Sequence, residues 1–142
     1  MTKNNDYLCF IDSNIWLYGF STNNKEETKR ILAKQLIQEK KIVISTQVIN
    51  EVSFNLLKKH KLDEVSILNL INSFYNRYQI VQFDRNVYEL ASNVRSKYCL
   101  SFWDSLIIAS ALFANADILY SEDMQHELIV ERQLTIINPF NR

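Results

Sequence analysis

Four of the sixteen acidic residues stand where an isolated charge would be costly. Asp12 ends the apolar run Leu8-Cys9-Phe10-Ile11, and Asp123 follows Ile118-Leu119-Tyr120 by way of Ser121-Glu122. Glu51 lies among Val48, Ile49, Val52 and Phe54, and Asp104 sits in Phe102-Trp103-Asp104-Ser105-Leu106-Ile107-Ile108. An ionised carboxylate beside a core is destabilising unless something compensates it. No lysine or arginine lies within one helical turn of Asp104 or Glu51, so local ion pairs cannot do so. A divalent cation can, and hard oxygen donors suit Mg²⁺ or Mn²⁺. Each acid also has a plainer reading. Asp12, Asp104 and Asp123 could each cap a helix or turn. Among the other acids, Asp63 and Asp84 read as helix caps and Asp117 as a turn residue. Glu26, Glu27, Glu39, Glu64, Glu89 and Glu131 read as solvated.

These acids need elements to carry them. Short apolar runs at 8–11, 42–44, 79–83, 118–120 and 134–137 read as strands, the first buried on both faces. Between them lie helical patterns: a short one at Ile15–Tyr18, then Lys25–Lys40 with a stripe of Ile31, Leu32, Leu36 and Ile37. Gln47–Lys59 is expected to bury Val48, Ile49, Val52, Phe54 and Leu56, with Ser45 or Thr46 as its cap. Helices carrying Val65, Ile67, Leu68, Leu70 and Ile71, and then Val87, Leu90, Ala91 and Val94, follow Asp63 and Asp84; a strongly apolar one spans Trp103–Asn115. Strands alternating with helices imply an α/β fold with right-handed crossovers and a mostly parallel sheet covered on both faces. Asp12 and Asp123 would then project from the carboxyl edge of that sheet, where open α/β domains place their ligands.

Composition narrows the chemistry. A chain of 142 residues, 47% hydrophobic, is the size of one ordinary domain. Its one glycine excludes the glycine-rich turns of dinucleotide and P-loop phosphate sites. Cys9 and Cys99 make no disulfide framework or zinc spacing, and Cys9 reads as a small core residue. The polar Met1–Asp6 carries no signal-peptide core, and the longest apolar candidate, Ser105–Ala116, is too short to span a membrane, so a cytoplasmic location is expected. The formal net charge of zero gives no whole-molecule sign of a nucleic-acid partner, so a polyanion would need local basic patches or metal ions. Lys58, Lys59, His60 and Lys61 form the densest basic run, and Arg95 and Lys97 precede the Asp104 helix; solvated helix ends would look the same. Trp16, Tyr18, Phe20 and Trp103 could stack on bases, or pack in a core or a dimer. His126 could donate a proton, or simply sit in a surface turn.

Four segments together suggest a family. They are Phe10-Ile11-Asp12-Ser13-Asn14, Ser45 to Val52 around Glu51, Phe102 to Ala111 around Asp104, and Leu119-Tyr120-Ser121-Glu122-Asp123-Met124-Gln125. In that order and spacing they resemble the PIN domain, and within it the VapC-type toxins of bacterial and archaeal toxin–antitoxin pairs, from about Tyr7 to Asn138. The resemblance implies a five-stranded, mostly parallel sheet in a three-layer domain. It further implies Mg²⁺- or Mn²⁺-dependent endoribonuclease activity, a homodimer, and a small antitoxin that blocks the site. Carried over by position, Asp12 and Asp104 would be the principal metal ligands, with Glu51 and Asp123 completing the cluster. Asn14 would hydrogen-bond within the site, and Ser121 would hold the fourth acid or a metal-bound water. One departure is Glu127, where such toxins often carry glycine.

The expected activity is therefore metal-dependent hydrolysis of RNA phosphodiesters, leaving a 5′-phosphate and a 3′-hydroxyl. Two other readings stand beside it. An aspartyl-phosphate phosphotransfer enzyme would use Asp12 as nucleophile, but Asn14 stands where a second aspartate belongs and Glu51 is left without a role. A non-catalytic interaction module would keep the fold without the chemistry.

Overall fold

A computed structural model of the chain describes residues 7–141; the polar Met1–Asp6 segment lies outside them. The chain alternates strand and helix: β1 (Leu8–Ile11), α1 (Ser13–Phe20), α2 (Glu27–Glu39), β2 (Lys41–Ser45), α3 (Thr46–Lys58), α4 (Glu64–Arg77), β3 (Gln79–Val81), α5 (Arg85–Tyr98), α6 (Phe102–Phe113), β4 (Ile118–Tyr120), β5 (Ile129–Val130) and β6 (Leu134–Ile137). The sheet order is β3-β2-β1-β4-β6-β5, with every pairing parallel except β5 with β6. Consecutive residues of the central strands are buried, Cys9-Phe10-Ile11 in β1 and Ile42 to Ser45 in β2. Neighbours along a strand point to opposite faces, so both faces of the sheet are covered. One set of helices packs α1 against α2 and α3, and α3 against α4; α5 and α6 pack on each other.

The fold class therefore matches the expectation, with one added strand. β5 is two residues long and pairs antiparallel at the sheet edge through a turn, Val130–Gln133, closed by the Gln133 N–H on Val130 O at 3.0 Å. Glu131 and Arg132 occupy the turn at φ 53° and 56°. Two successive left-handed residues are the geometry of a tight hairpin usually written with Asn or Gly. Neither is here, and two residues carry no periodicity, so the hairpin leaves no signal in the sequence.

Helix starts follow the polar residues that precede them. Ser45 Oγ accepts from the Val48 N–H, Asp63 from Ser66, Asp84 from Val87 and Ser101 from Asp104. Each satisfies a backbone donor that the helix itself leaves open. Asp117 ties the sheet's amino edge, accepting from the Leu8 N–H at 2.9 Å.

Several residues expected in the core are not there. Phe54 is 60% exposed, because the buried face of α3 is Val48, Ile49, Val52 and Leu56, and position 54 points the opposite way at 100° per residue. The Lys58 ammonium lies 5.4 Å from its ring centre. On α2 only Ala33 is buried and Ile31 is exposed; on α4, Ile67 and Phe74 are buried while Val65 and Leu68 are exposed. Among the described residues no helix is long and apolar enough to cross a membrane.

Candidate functional site

Parallel pairing places the first acid. β1 and β4 run in register with Ile11 opposite Tyr120, and the Asp12 N–H extends the ladder to Tyr120 O at 3.0 Å. The next residue along each strand is therefore Asp12 on one side and Ser121 on the other, at the carboxyl edge. The Ser121 hydroxyl donates to Asp12 Oδ2 at 2.7 Å. Ser121 Oγ in turn accepts from the Asp123 N–H at 3.3 Å, so one buried serine joins the first and fourth acids.

Asp12 also begins α1, its Oδ1 accepting from the Ser13 N–H at 2.8 Å, so it is a helix cap as well as a candidate ligand. Two residues along, Asn14 Nδ2 donates to Asp123 Oδ2 at 3.1 Å and Asn14 Oδ1 accepts from the Glu122 N–H at 3.3 Å. The loop that carries Asp123 is thus latched to α1 by both ends of one amide. Glu51, a turn into α3 on the other flank of β1, accepts from Ser13 Oγ at 2.9 Å and from Gln47 Nε2 at 3.4 Å. Asp104 lies in the first turn of α6. Because Ser101 caps that helix, the Asp104 carboxylate is not spent on capping. Asp104 and Asp123 share a cavity of about 190 Å³ with Met124 and Gln125.

The electrostatics are one-sided. Asp12 is 6% exposed, and its carboxyl is pushed up to about 6. Burial is the largest cause; the negative charges of Glu51 and Asp104 push the same way, and the hydrogen bonds from Ser121 and Ser13 oppose them. Every donor to Asp12, Glu51 and Asp123 named above is neutral. Ion pairs among the described residues join Lys29 to Glu122, Arg85 to Glu89 and Lys97 to Glu131, and none reaches the four acids.

That unbalanced charge fits a hard divalent ion. Among the described residues no three His, Cys, Asp or Glu side chains stand close enough to cage an ion by themselves. Mg²⁺ does not require such a cage: it is commonly held by one or two carboxylates, keeps several waters and takes its remaining oxygens from a substrate phosphate. An ion held in that way would rest on no more than two of Asp12, Asp104, Glu51 and Asp123 at once.

The remaining sequence candidates separate. Lys59 lines a cleft of about 270 Å³ with His60, Asn14, Tyr18 and Asn55, whereas Lys58 is turned onto Phe54. Arg95 donates to Ser105 Oγ at 2.6 Å and lies 4.8 Å from the Phe102 ring centre. Trp16 is in the core, with its indole N–H on Ile11 O at 3.1 Å, while Trp103 is exposed. His126 Nδ1 accepts from the Asn138 N–H at 3.0 Å and holds a turn.

Sequence reasoning missed Ser13, which positions Glu51, and the cluster that braces the Asp123 loop from behind. In that cluster Glu122 accepts from Tyr18 Oη at 2.7 Å and from Lys29 Nζ at 2.5 Å. Only contact between distant segments shows either role; Ser13 carried a weak signal through its place beside Asp12.

Comparison with known proteins places the chain. The family model described as PIN domain matches residues 9–130. No curated protein matches the sequence. Among solved structures, a toxin–antitoxin complex from Klebsiella pneumoniae is similar at a TM-score of 0.70 and 18% identity, covering 94% of this chain and 99% of that one. The DNA-bound VapBC of Salmonella typhimurium gives 0.62 and 15%, covering 92% and 96%. Mycobacterium tuberculosis VapC20, a Sarcin-Ricin loop cleaving toxin, gives 0.61 and 14%, covering 78% and 86%.

Proposed function

The chain belongs to the PIN domain family, and from that premise we propose that it is a Mg²⁺- or Mn²⁺-dependent endoribonuclease, the toxin of a toxin–antitoxin pair, acting as a homodimer and held inactive by a small antitoxin protein. The observation that carries the reading is the acidic edge itself: Asp12 buried beside the charges of Glu51 and Asp104, with no basic partner.

When bound, a divalent ion would supply Lewis-acid polarisation of the phosphate and acidify water towards neutral pH. The protein's part is placement. Ser121 and the Ser13 N–H fix the Asp12 carboxylate, Ser13 Oγ fixes Glu51, and Asn14 fixes Asp123. Held this way the acids need not reorganise when substrate arrives, which is how positioning lowers a barrier. Lys59, at the cleft that begins at Asn14, is the basic group best placed to meet a strand leaving the site. The antitoxin belongs to this reading because toxin–antitoxin complexes are among the similar folds.

The test is cleavage of a labelled RNA with Mn²⁺ or Mg²⁺, yielding 5′-phosphate ends. Chelator should abolish it, and Asp12→Asn or Asp104→Asn should lower it by at least about a hundredfold, the scale of lost metal-site contacts. Wild-type rates in either variant would defeat the reading. One observation favours a non-catalytic module instead, namely that the acids do not close into a cage among the described residues. Calorimetric titration with Mn²⁺ separates the two, since a module need bind none.

A further inference from the structure

Gln47 is the second residue of α3, one helical turn before Glu51, and it is only 7% exposed. Its Nε2 donates to Glu51 Oε2 at 3.4 Å. That contact sets the amide's orientation, since the reverse would turn an oxygen towards a carboxylate. The other half of the amide is orphaned: Oε1 is buried, and among the described residues no protein group donates to it. Ser53 Oγ is in the same position, but only Gln47 is bonded to one of the four candidate acids. The amide is not spent on the helix end either, because Ser45 caps α3. A buried acceptor without a donor is destabilising, and methionine would fill much the same space without that cost. Oε1 and Nε2 share one carbon, so the orphan is held beside the Glu51 carboxylate, whose Oε1 accepts from Ser13 next to Asp12.

We propose that Gln47 is a positioning residue of the metal site: its amide oxygen accepts a hydrogen bond from a water that the divalent ion carries, while its amide N–H steadies Glu51. The inference rests on the metal-dependent reading of the acidic edge and adds a neutral side chain to it. An ion resting on no more than two of the acids keeps several waters, and each of those is a donor in need of an acceptor. An amide oxygen meets that need without adding charge. A carboxylate at this position would face Glu51 with a like charge, and a lysine would compete with the ion. Partners of this outer kind typically change metal affinity 10–100-fold. The rival account is purely structural, with the amide steadying Glu51 and its oxygen bonded to an ordinary buried water.

The two accounts differ in sign for Gln47→Met, which removes the orphan and keeps the bulk. Mn²⁺ affinity, read by calorimetry, should fall at least about tenfold. The melting temperature in chelator should rise by about 2–4 °C, because the unpaired acceptor is gone. An unchanged affinity overturns the proposal. So does a variant that loses affinity and also melts below wild type, since the amide would then be shaping the fold. Gln47→Glu is the second variant, and it decides the matter if the methionine protein fails to fold by circular dichroism. It keeps an acceptor of the same reach and gives up the N–H, so it should hold Mn²⁺ at least as tightly as wild type. A tenfold loss in this variant would trace the effect to the orientation of Glu51 and overturn the role of the oxygen. Wild-type protein that binds no Mn²⁺ defeats the metal-dependent reading itself, and this inference with it. Wild-type binding with no response at Gln47 removes this inference alone.

Discussion

At Asp12 three demands meet on one side chain: it caps α1, accepts from Ser121, and sits buried next to Glu51 and Asp104. Its carboxyl is pushed up to about 6 from an ordinary value of 3.8. The folded protein therefore holds this proton more tightly than the unfolded chain. The contribution is fully present below about pH 4 and is lost as pH rises through 6, so the metal-free fold should weaken by on the order of 3 kcal/mol across that window. Thermal melts in chelator from pH 4 to 7.5, corrected with the variant below, should show the fall, and Mn²⁺ at pH 7.5 should reverse it. Asp12→Asn keeps a good cap and removes the charge. It should raise the melting temperature of the metal-free protein at pH 7.5 while eliminating cleavage; a variant that is less stable and still active would contradict the assignment. Ser121→Ala should lower Mn²⁺ affinity about 10–100-fold by freeing Asp12, read by calorimetry. Asp12, Glu51 and Asp104 stand out in the sequence as polar residues in apolar surroundings, whereas Asp123 is exposed among polar neighbours and stands out only by its place after β4. Their holders do not, since a serine such as Ser13 or Ser121 looks ordinary until two segments of chain meet.

Among the elements, the boundaries of α3, α5 and β4 follow from caps and apolar runs, and the parallel order from their alternation. The exposed faces of α2 and α4 did not follow, because Ile31, Val65 and Leu68 are apolar without being buried. Periodicity reports which residues could face a core and cannot report how much partner surface is available. The left-handed corners were equally silent. A chain with a single glycine turns instead through Lys61, Cys99, Asn115, Glu127, Glu131 and Arg132, all at positive φ. Cys99 ends α5 at φ 56° and ψ 49°, with its N–H on Arg95 O. Left-handed backbone costs a side-chain-bearing residue about 1 kcal/mol relative to glycine. Cys99→Gly should therefore stabilise the fold by about 0.5–1 kcal/mol, seen as a higher denaturation midpoint with an unchanged slope. Glu127 sits at φ 69° with its N–H on Ile136 O at 2.7 Å, just where the family resemblance leads one to look for glycine. The turn is kept despite the substitution, and Glu127→Gly should bring a similar gain without altering the four acids.

For the whole molecule the deciding quantity is charge. Sixteen basic and sixteen acidic residues cancel, and the proposed nuclease would set a phosphodiester against the edge that carries Asp12, Glu51, Asp104 and Asp123. Most non-specific affinity for nucleic acid comes from lysine and arginine displacing counterions from phosphates. This chain offers few such contacts beside the site: Lys59 in the α1–α3 cleft and Arg95 under Phe102. If RNA lies at the acidic edge as proposed, that edge would repel the backbone unless a divalent ion is bound. RNA affinity should accordingly depend on metal far more than on monovalent salt. Filter binding of a single-stranded RNA to Asp104→Asn, which should not cut it, needs care because that variant loses one ligand; a non-cleavable single-stranded DNA on the wild-type protein avoids the difficulty. Affinity for it should rise at least about tenfold from chelator to millimolar Mg²⁺ at constant ionic strength. Its logarithmic salt dependence should stay shallow, with a slope of about −1 to −2 for one or two phosphate contacts. A steep slope with no response to metal would mean that a basic surface elsewhere holds the nucleic acid, and that the acidic edge is not where the strand lies.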